Sequence, residues 1–181
     1  MKITETKIKD LVIIEPKVFE DDRGYFMESF KQGWFEENFP HIKFIQENES
    51  KSNYGVLRGL HFQKPPFEQT KLVRVIQGEV LDVAVDLRKN SPTYGQHESI
   101  ILSSDNKKQF LVPRGFAHGF IVLSESAIFS YKVDNPYAPD HDSGILWNDS
   151  NLNIDWLLQQ DDIKLSKKDM LLNNFYNSNE E

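Results

Sequence analysis

Short apolar runs with a period of two dominate the chain from Leu11 to Val133, and they restrict its fold more than any other feature. Successive side chains of a β-strand point to opposite faces, so such runs are typical of strands rather than helices. Gly, Pro, Asn and Asp separate the runs, as turns between strands require. From Val80 to Leu87 both alternating faces carry apolar residues, which indicates a sheet covered on both sides. The pattern predicts an all-β sandwich or barrel with peripheral helices.

Two predicted strands, Lys71–Ile76 and Glu79–Leu87, flank Gly78. Glycine accepts the positive φ of a tight turn, so this connection is typical of a β-hairpin. Lys71 shares a face with Val73 because the two residues are separated by one position. Further strands are predicted at Ser99–Leu102, Gln109–Val112, Phe120–Leu123 and Ala127–Val133.

Helices are predicted only near the ends of this β region. Gly33–Asn38 is predicted to form a short helix, and Ser166–Leu172 has the pattern that begins a terminal helix. The tail Asn173–Glu181 is polar, and we expect it to fray. Residues 1–181 are predicted to form one domain, because no linker rich in Pro, Gly or Ser divides them. Residues 151–181 form its predicted C-terminal helical segment and tail.

Composition limits the partners and the location of the protein. The net charge of -7 and the pI of about 5.3 disfavour nucleic acid, because phosphate backbones bind basic faces, and an anionic ligand would need a local cluster of cations. There is no cysteine, which excludes disulfides and thiolate metal sites and fits a reducing cytoplasm. No apolar run is long enough for a membrane span or signal peptide. We therefore expect a soluble, cytoplasmic protein that does not bind membranes.

A cupin-like pattern runs through the middle of the chain. Metal-binding cupins carry His-x-His five residues after a glycine, then a glutamate, and later Pro-x-Gly-x-x-His. The chain resembles both motifs, since Gly55 precedes His61 by that spacing and Pro113–His118 matches the second. Gln63 occupies the second histidine position and Lys71 the glutamate position. A protonated lysine cannot ligate a cation and repels one, so we predict no metal and no other cofactor.

Three side chains in this pattern suit proton abstraction next to a carbonyl. Histidine as a residue type suits a base near neutrality, so His61 can take a proton, Lys71 can stabilise an enolate oxygen, and Tyr131 can return a proton to the opposite face. Each has a plainer interpretation: a structural histidine, a surface lysine and a core aromatic. The central position of Lys71 in the cupin pattern favours the chemical interpretation for Lys71, whereas spacing does not decide for Tyr131.

The stretch Arg58–Gln63 contains a geometric conflict. Arg58 and His61 are separated by an odd number of positions, so regular alternation sends their side chains to opposite faces. A β-bulge at Gly59 would bring both side chains to one face. Without a bulge, one of them would serve a neighbouring layer or another subunit.

The order of motifs along nearly the whole chain resembles one family, the dTDP-4-dehydrorhamnose 3,5-epimerases, which are metal-independent enzymes with a cupin fold. Phe19–Glu28 is similar to the family's FxDxRGxFxE motif, Gln46–Ser50 to QxNxS and Gly55–Gln63 to GVLRGLHxQ. The series continues with Lys71–Val75, Asp82–Arg88, Ser91–Gly95, Tyr131–Val133, Tyr137–Pro139 and Gly144–Asp149. The resemblance implies a mainly β, cupin-type double-stranded β-helix (jelly-roll) barrel with short peripheral helices and a C-terminal helical segment.

The resemblance also implies an activity, the inversion of carbons 3 and 5 of dTDP-4-dehydro-6-deoxy-D-glucose to give dTDP-4-dehydro-L-rhamnose in dTDP-L-rhamnose biosynthesis. His61 is implied as the base, Tyr131 as the acid, Lys71 as the support of the enolate and Asp169 as the residue that orients and charges His61. The implied substrate contacts are Arg58 and His118 with the sugar and diphosphate, Arg23, Glu28, Gln46 and Asn48 with the nucleotide, and Phe26 with thymine.

Two further implications concern position rather than residue type. The family commonly has glutamate where Asp142 stands and a basic residue at about Lys167, so a direct Asp142 contact is left open because the side chain is one carbon shorter. In the family, N-terminal strands contribute to the site of the other subunit. Residues 1–50 are therefore predicted to exchange contacts within a homodimer.

Alternatives exist for several residues and for the function. Ser166–Asp169 also matches a helix capping box, Arg23 and Glu28 also fit a surface ion pair, and His118 also fits a structural relic of the cupin histidine. A related enzyme acting at one carbon, or a ketoisomerase, is the nearest alternative function. A non-catalytic cupin that binds nucleotide sugars is the alternative from another class, and a metal-dependent cupin oxygenase is more distant.

Overall fold

The computed structural model describes residues 1–175 of the chain. These residues contain one α-helix, α1 (Gln32–Asn38), which confirms the short helix predicted there. Single 3-10 turns occur at Pro139–His141, Gln160–Asp162 and Asp169–Leu171. The strands are β1 (Lys2–Glu5), β2 (Val12–Glu15), β3 (Val18–Asp21), β4 (Gly24–Met27), β5 (Gln46–Asn53), β6 (Leu57–Gln63), β7 (Lys71–Gln77), β8 (Glu79–Asp86), β9 (His97–Ser103), β10 (Gln109–Val112), β11 (Phe116–Val122), β12 (Ser126–Val133) and β13 (Asp142–Gly144).

Most strands belong to two large antiparallel sheets. The six-stranded sheet has the order β1-β2-β10-β7-β12-β5, and the five-stranded sheet has the order β13-β6-β11-β8-β9. β3 and β4 pair only with each other in a small hairpin. The prediction of a mainly β, jelly-roll type fold is confirmed. Strand pairing leaves both sheets open at their edges, so the barrel is not closed.

The core lies between the two sheets. Val73, Phe110 and Phe129 come from the six-stranded sheet and pack in one cluster with Ala84 and Phe120 of the five-stranded sheet. The rings of Phe120 and Phe129 stack across the interior with centroids 4.2 Å apart. Burial of each such side chain stabilises the fold by roughly 2 kcal/mol, so the sandwich is held mainly by apolar contact between its inner faces.

Both outer faces are also covered. Helix α1 and the residues around it pack on the six-stranded sheet, where Phe35 is buried against Ile14 and Leu111. The C-terminal segment packs on the five-stranded sheet through side chains such as Trp156 and Phe175. The prediction of a sheet covered on both sides is therefore confirmed for β8, which alternates between the inner core and the outer cluster.

The predicted hairpin at Gly78 is wrong. β7 belongs to the six-stranded sheet and β8 to the five-stranded sheet, where β8 pairs with β11 and β9. Gly78 has the expected positive φ of 80°, but it turns the chain from one sheet to the other. A Cβ atom there would lie 2.1 Å from the carbonyl oxygen of Ser126. A hairpin turn and a connection between two sheets use the same turn residues, so the sequence did not distinguish them.

The predicted terminal helix is also wrong in the part of the chain that the structure describes. Only a 3-10 turn forms within Ser166–Leu172, because the flanking backbone bonds to the sheet instead of to itself. The Lys164 N–H donates to the Gly55 carbonyl at 2.8 Å, and the Leu146 N–H donates to the Asn173 carbonyl at 2.8 Å. Phe175 is 3% exposed, so residues 173–175 are packed and the expectation that they fray is wrong. The rest of the predicted fraying tail, residues 176–181, lies outside the described residues.

A bulge in β6 resolves the conflict between Arg58 and His61. On β11 their partners are Phe120 and His118, two positions apart, although Arg58 and His61 are three apart. The extra residue turns both side chains toward the cavity, which is the alternative with a bulge at Gly59. Gly59 has a φ of 142°, and a Cβ there would lie 2.5 Å from the Cα of Gly119. The two backbones approach this closely because Gly59 has no side chain.

Asp86 anchors a buried polar cluster at the end of β8. Its carboxylate accepts bonds from the Arg88 guanidinium, from the Ser91 hydroxyl at 2.6 Å and from the Thr93 hydroxyl at 2.7 Å. Burial by itself would raise the pKa of the carboxyl, but these hydrogen bonds outweigh it and lower the pKa to about 2. The motifs Asp82–Arg88 and Ser91–Gly95 therefore meet at a structural site.

We expect Gly59→Ala to lower the free energy of unfolding by about 3 kcal/mol, because the new Cβ overlaps backbone that cannot move independently. Gly33→Ala is the matched control, since a Cβ at Gly33 meets no atom within 4 Å. Urea unfolding monitored by circular dichroism measures both variants. Equal stability of Gly59→Ala and wild type would contradict the role of the close approach.

Asp86→Asn should lower the free energy of unfolding by about 2 kcal/mol at pH 7. A carboxyl whose pKa is lower in the folded state stabilises at neutral pH, and this stabilisation declines below about pH 4 and disappears below about pH 2. The difference between wild type and variant in urea unfolding should therefore narrow from pH 7 to pH 3. Asp105→Asn, at an exposed turn, is the control. A penalty that is independent of pH would show that the carboxylate charge is unimportant.

Candidate active site

A cavity of about 460 Å³ opens between the two sheets. Its lining contains four Lys or Arg residues and two Asp or Glu residues, so the site is locally cationic although the chain carries a net charge of -7. The lining residues are Glu49, Ser50, Val56, Leu57, Arg58, His61, Lys71, His118, Phe120, Phe129, Tyr131, Lys164, Leu165, Ser166, Lys168 and Asp169. Such a cavity suits a ligand with an anionic part.

His61 and Asp169 form a hydrogen-bonded pair at the cavity wall. The His61 Nε2 atom lies 2.6 Å from the Asp169 Oδ1 atom, and the side chains are 32% and 5% exposed. Burial by itself would raise the pKa of the Asp169 carboxyl, but its hydrogen bond with His61 outweighs this and holds the pKa below its usual value. An ionised carboxylate at this distance orients the imidazole and stabilises its protonated form.

Asp169 also takes part in a cap. The Asp169 N–H donates to the Ser166 hydroxyl at 3.1 Å, as in the first half of a capping box. Its carboxylate meanwhile contacts His61. The backbone of Asp169 is thus held by the cap while its side chain is available to the cavity, so the two interpretations of this residue are compatible.

Lys71 lies on the inner face of β7, at the start of the strand. Burial of its ammonium lowers the pKa to about 8, against the opposing effect of the nearby carboxylates Asp82 and Asp142. A partly buried lysine of this kind is a strong donor toward a developing negative charge, because little water competes for it.

His118 forms a second histidine–aspartate pair. Its Nε2 atom lies 2.8 Å and 3.0 Å from the two carboxylate oxygens of Asp82. His118 is 7% exposed and Asp82 is fully buried. His118 is directly opposite His61 in the pairing of β11 with β6, so the two imidazoles are neighbours on the same wall of the cavity.

Tyr131 belongs to the opposite wall, because β12 is part of the six-stranded sheet. Burial raises the pKa of its phenol, partly offset by a hydrogen bond with Asn48 and the charge of Arg58. The phenol therefore keeps its proton at neutral pH. Arg58 itself donates from Nε to the Ser52 hydroxyl at 3.0 Å, which fixes its guanidinium beside the cavity.

The rim of the cavity carries a polar chain of three residues. The Tyr137 hydroxyl donates to Asp142 Oδ2 at 3.0 Å, and the Lys168 ammonium donates to the same oxygen. Lys168 lines the cavity, whereas Lys167 is not among the lining residues. The structure thus brings Lys168, rather than the neighbouring predicted lysine, to the site.

The predicted nucleotide contacts from the N-terminal strands are not among the residues that line this cavity. Arg23 forms an exposed ion pair with Asp21 at 2.6 Å, and Phe26 is 66% exposed on the same β3–β4 hairpin. Glu28 pairs with Lys31 at 3.4 Å. The remaining two, Gln46 and Asn48, lie on the edge strand β5, where Gln46 Nε2 donates to Asn48 Oδ1 at 2.8 Å.

Gln63 joins two loops to β6. Its amide nitrogen donates to the carbonyls of Phe67 at 2.6 Å and Pro136 at 3.1 Å, and its amide oxygen accepts the Ala138 N–H at 2.7 Å. The residue at the second cupin histidine position is therefore committed to backbone contacts. Within residues 1–175 no group of three His, Cys, Asp or Glu side chains is arranged to hold a metal ion.

Sequence reasoning missed Asp82, Tyr137 and Lys168. Asp82 lies between the apolar residues Val80 and Ala84 on the inner face of β8, and a charge in that position was a usable signal. No pattern distinguished Lys168 from its neighbour, because a 3-10 turn and a helix point consecutive side chains in different directions.

The arrangement has the parts that carbon-acid chemistry requires. A carboxylate-supported histidine lies on one wall, a protonated tyrosine lies on the other, and Lys71 lies in the same cavity. Abstraction of a proton from one side of a carbon and return of a proton to its other side inverts that carbon.

Comparison with known proteins gives a consistent result. The family model described as dTDP-4-dehydrorhamnose 3,5-epimerase matches residues 5–177. The dTDP-4-dehydrorhamnose 3,5-epimerase of Methanothermobacter thermautotrophicus is 52% identical, over 93% of this chain and 91% of its own.

Two solved structures represent near and more distant relatives. The Legionella pneumophila epimerase, in complex with dTDP-4-keto-L-rhamnose, has a TM-score of 0.91 at 48% identity and covers 96% of this chain and 92% of its own. A 3'-monoepimerase from Streptomyces bikiniensis, in complex with dTDP-quinovose, has a TM-score of 0.85 at 29% identity and covers 93% of this chain and 85% of its own. From its sequence, its fold and the geometry of its cavity, the chain belongs to the dTDP-4-dehydrorhamnose 3,5-epimerase family.

Proposed function

We propose that the protein inverts carbons 3 and 5 of dTDP-4-dehydro-6-deoxy-D-glucose and produces dTDP-4-dehydro-L-rhamnose for dTDP-L-rhamnose biosynthesis. The observation that carries the proposal is the position of His61, paired with Asp169, on the wall opposite Tyr131. Membership of the family supports it further.

The proposed mechanism uses side chains alone. His61 takes the proton from the carbon next to the 4-keto group, and the electron pair of the C–H bond moves to the carbonyl oxygen as an enolate. Asp169 stabilises the imidazolium that results, and Lys71 stabilises the oxygen. Tyr131 then donates its proton to the other face of the carbon, and proton exchange with water restores both groups before the second carbon reacts.

The cationic lining supports recognition of the diphosphate. Arg58 is held by Ser52, and Lys164 and Lys168 line the same cavity, so three fixed charges are available to an anion. Lys168 also donates a hydrogen bond to Asp142, which supports a role for both residues at the rim. We keep His118 as a sugar contact, since its ring lines the cavity.

We also propose a homodimer in which residues 1–50 contribute to the partner's site. Arg23 and Phe26 lie on a hairpin that pairs with neither large sheet, and Phe19 and Tyr25 beside them are also exposed. An exposed hairpin with aromatic and cationic side chains is suited to stack on a base and to contact a phosphate of a bound nucleotide. Glu28, Gln46 and Asn48 belong to the same proposed contact surface.

A cytoplasmic location remains part of the proposal, supported by the absence of cysteine from the sequence. None of the helices in residues 1–175 combines the length and apolar character needed to cross a membrane.

A single-carbon epimerase is the second candidate. The similarity to a 3'-monoepimerase at 29% identity favours keeping it, because the same walls can serve one carbon or two. A purely binding cupin is disfavoured by the His61–Asp169 pair and the opposing phenol, since binding alone does not require an acid and a base on opposite faces.

Incubation with dTDP-4-dehydro-6-deoxy-glucose in deuterated water, followed by NMR, tests the proposal. Label at carbons 3 and 5 is expected. Label at one carbon would select the monoepimerase, and tight binding without label would select the binding module.

His61→Ala should reduce deuterium incorporation at least about 10³-fold, because the base is removed. Tyr131→Phe should still exchange protons but lose product about 10- to 100-fold, because reprotonation on the far face fails. His41→Ala, at an exposed position, is the control and should retain wild-type rates. An equal loss of exchange in the His61 and Tyr131 variants would contradict the division of roles.

The pKa of Lys71 predicts a pH dependence. A lysine with a pKa of about 8 is charged below that pH and neutral above it, so kcat/KM should fall as pH rises through about 8. Lys71→Arg should be slower at every pH but lack this alkaline limb, since arginine stays protonated. Steady-state rates from pH 6 to 10 measure both, and an unchanged limb in Lys71→Arg would show that another group causes it.

A further inference from the structure

Asp82 places a negative charge inside an apolar strand face. It lies on the inner side of β8 between Val80 and Ala84, and its side chain is fully buried. A carboxylate in such a position is unfavourable unless it is paired and hydrogen-bonded. The partner that the structure provides is His118, whose Nε2 atom is within 3.0 Å of both carboxylate oxygens.

This contact determines the proton position on His118. An ionised carboxylate only accepts hydrogen bonds, so the Nε2 atom must carry a proton. The His118 ring lines the cavity, and Nδ1 is therefore the nitrogen left for a bound ligand. Asp82 fixes the tautomer and the orientation of the imidazole in the way that Asp169 does for His61.

The same carboxylate acts on Lys71 from across the interior. Asp82 from β8 and Asp142 from β13 are the two carboxylates whose charges favour the protonated form of Lys71. The other ionisable groups around the cavity include Arg58 and His61 of β6, His118 of β11, Tyr131 of β12 and Lys168 and Asp169 of the C-terminal turn. Asp82 itself is fully buried and is bonded to the cavity-lining imidazole of His118.

We propose that Asp82 is a positioning residue that holds the His118 ring in the cavity wall and supplies a negative charge to Lys71, the donor to the enolate oxygen. The proposal rests on the proposed epimerase function, because the charge of Lys71 acts there on a developing enolate. Asp82 does not line the cavity itself and acts through His118 and Lys71.

The kinetic test compares Asp82→Asn with Asp86→Asn. Both aspartates are fully buried, they share the inner face of β8, and each substitution removes a hydrogen-bonded carboxylate. Asp82→Asn should move the alkaline limb of kcat/KM to lower pH by about one unit, because Lys71 loses a neighbouring negative charge. Asp86→Asn should lower stability but leave the limb in place. An unshifted limb in Asp82→Asn would overturn the proposal.

A double variant separates the effect on Lys71 from general damage. In a Lys71→Arg background the guanidinium stays charged, so adding Asp82→Asn should produce no alkaline shift. If the shift persists without Lys71, the proposed coupling is wrong.

A measurement on the wild-type protein covers the case in which Asp82→Asn does not fold. Nitrogen-15 NMR of the histidine side chains above pH 8 should show neutral His118 protonated at Nε2, and an Nδ1–H tautomer would overturn the proposal. The tautomer can be read without substrate, so its result is independent of activity. A wild-type protein that incorporates no deuterium would instead contradict the proposed function.

Discussion

The close backbone approach of β6 and β11 is the constraint on which the site depends. Gly59 and Gly119 face each other where a Cβ on either would overlap the other strand's backbone. The extra residue in β6 then turns Arg58 and His61 to the same side and puts His61 opposite His118. The positions of Arg58 and His61 on the cavity wall follow from this bulge, since a regular strand would bury one of these side chains in the wrong layer.

Each of the two imidazoles on this cavity wall is hydrogen-bonded to a buried carboxylate. Asp169 is the partner of His61, and Asp82 is the partner of His118. The opposite wall supplies Lys71 and Tyr131. Burial lowers the pKa of Lys71 and raises the pKa of Tyr131, so it favours the neutral form of both side chains. A fixed polar environment of this kind stabilises developing charge better than water does, because its dipoles are already oriented.

Much of the fold and site followed from residue spacing. Alternating apolar residues identified the strands and placed Lys71 on the same face as Val73, and cupin spacing singled out His61, Gln63 and His118. The parity argument left a bulge at Gly59 open as one of two alternatives, and the structure has a bulge in β6. Errors arose where a local pattern fits two long-range arrangements. Gly78 joins two sheets instead of forming a hairpin, and the segment around Lys168 bonds to the sheet instead of forming a helix.

The sequence by itself determined which residues share a strand face, because the period of two is fixed by strand geometry within a few neighbours. It also determined the loss of the metal-ligand pattern, since Gln63 and Lys71 are covalent facts of the chain. Only the tertiary structure decided which walls those residues occupy and that Asp169 reaches His61 from 108 positions away. Such contacts depend on how sheets stack and where the C-terminal segment docks, and no local spacing encodes that geometry.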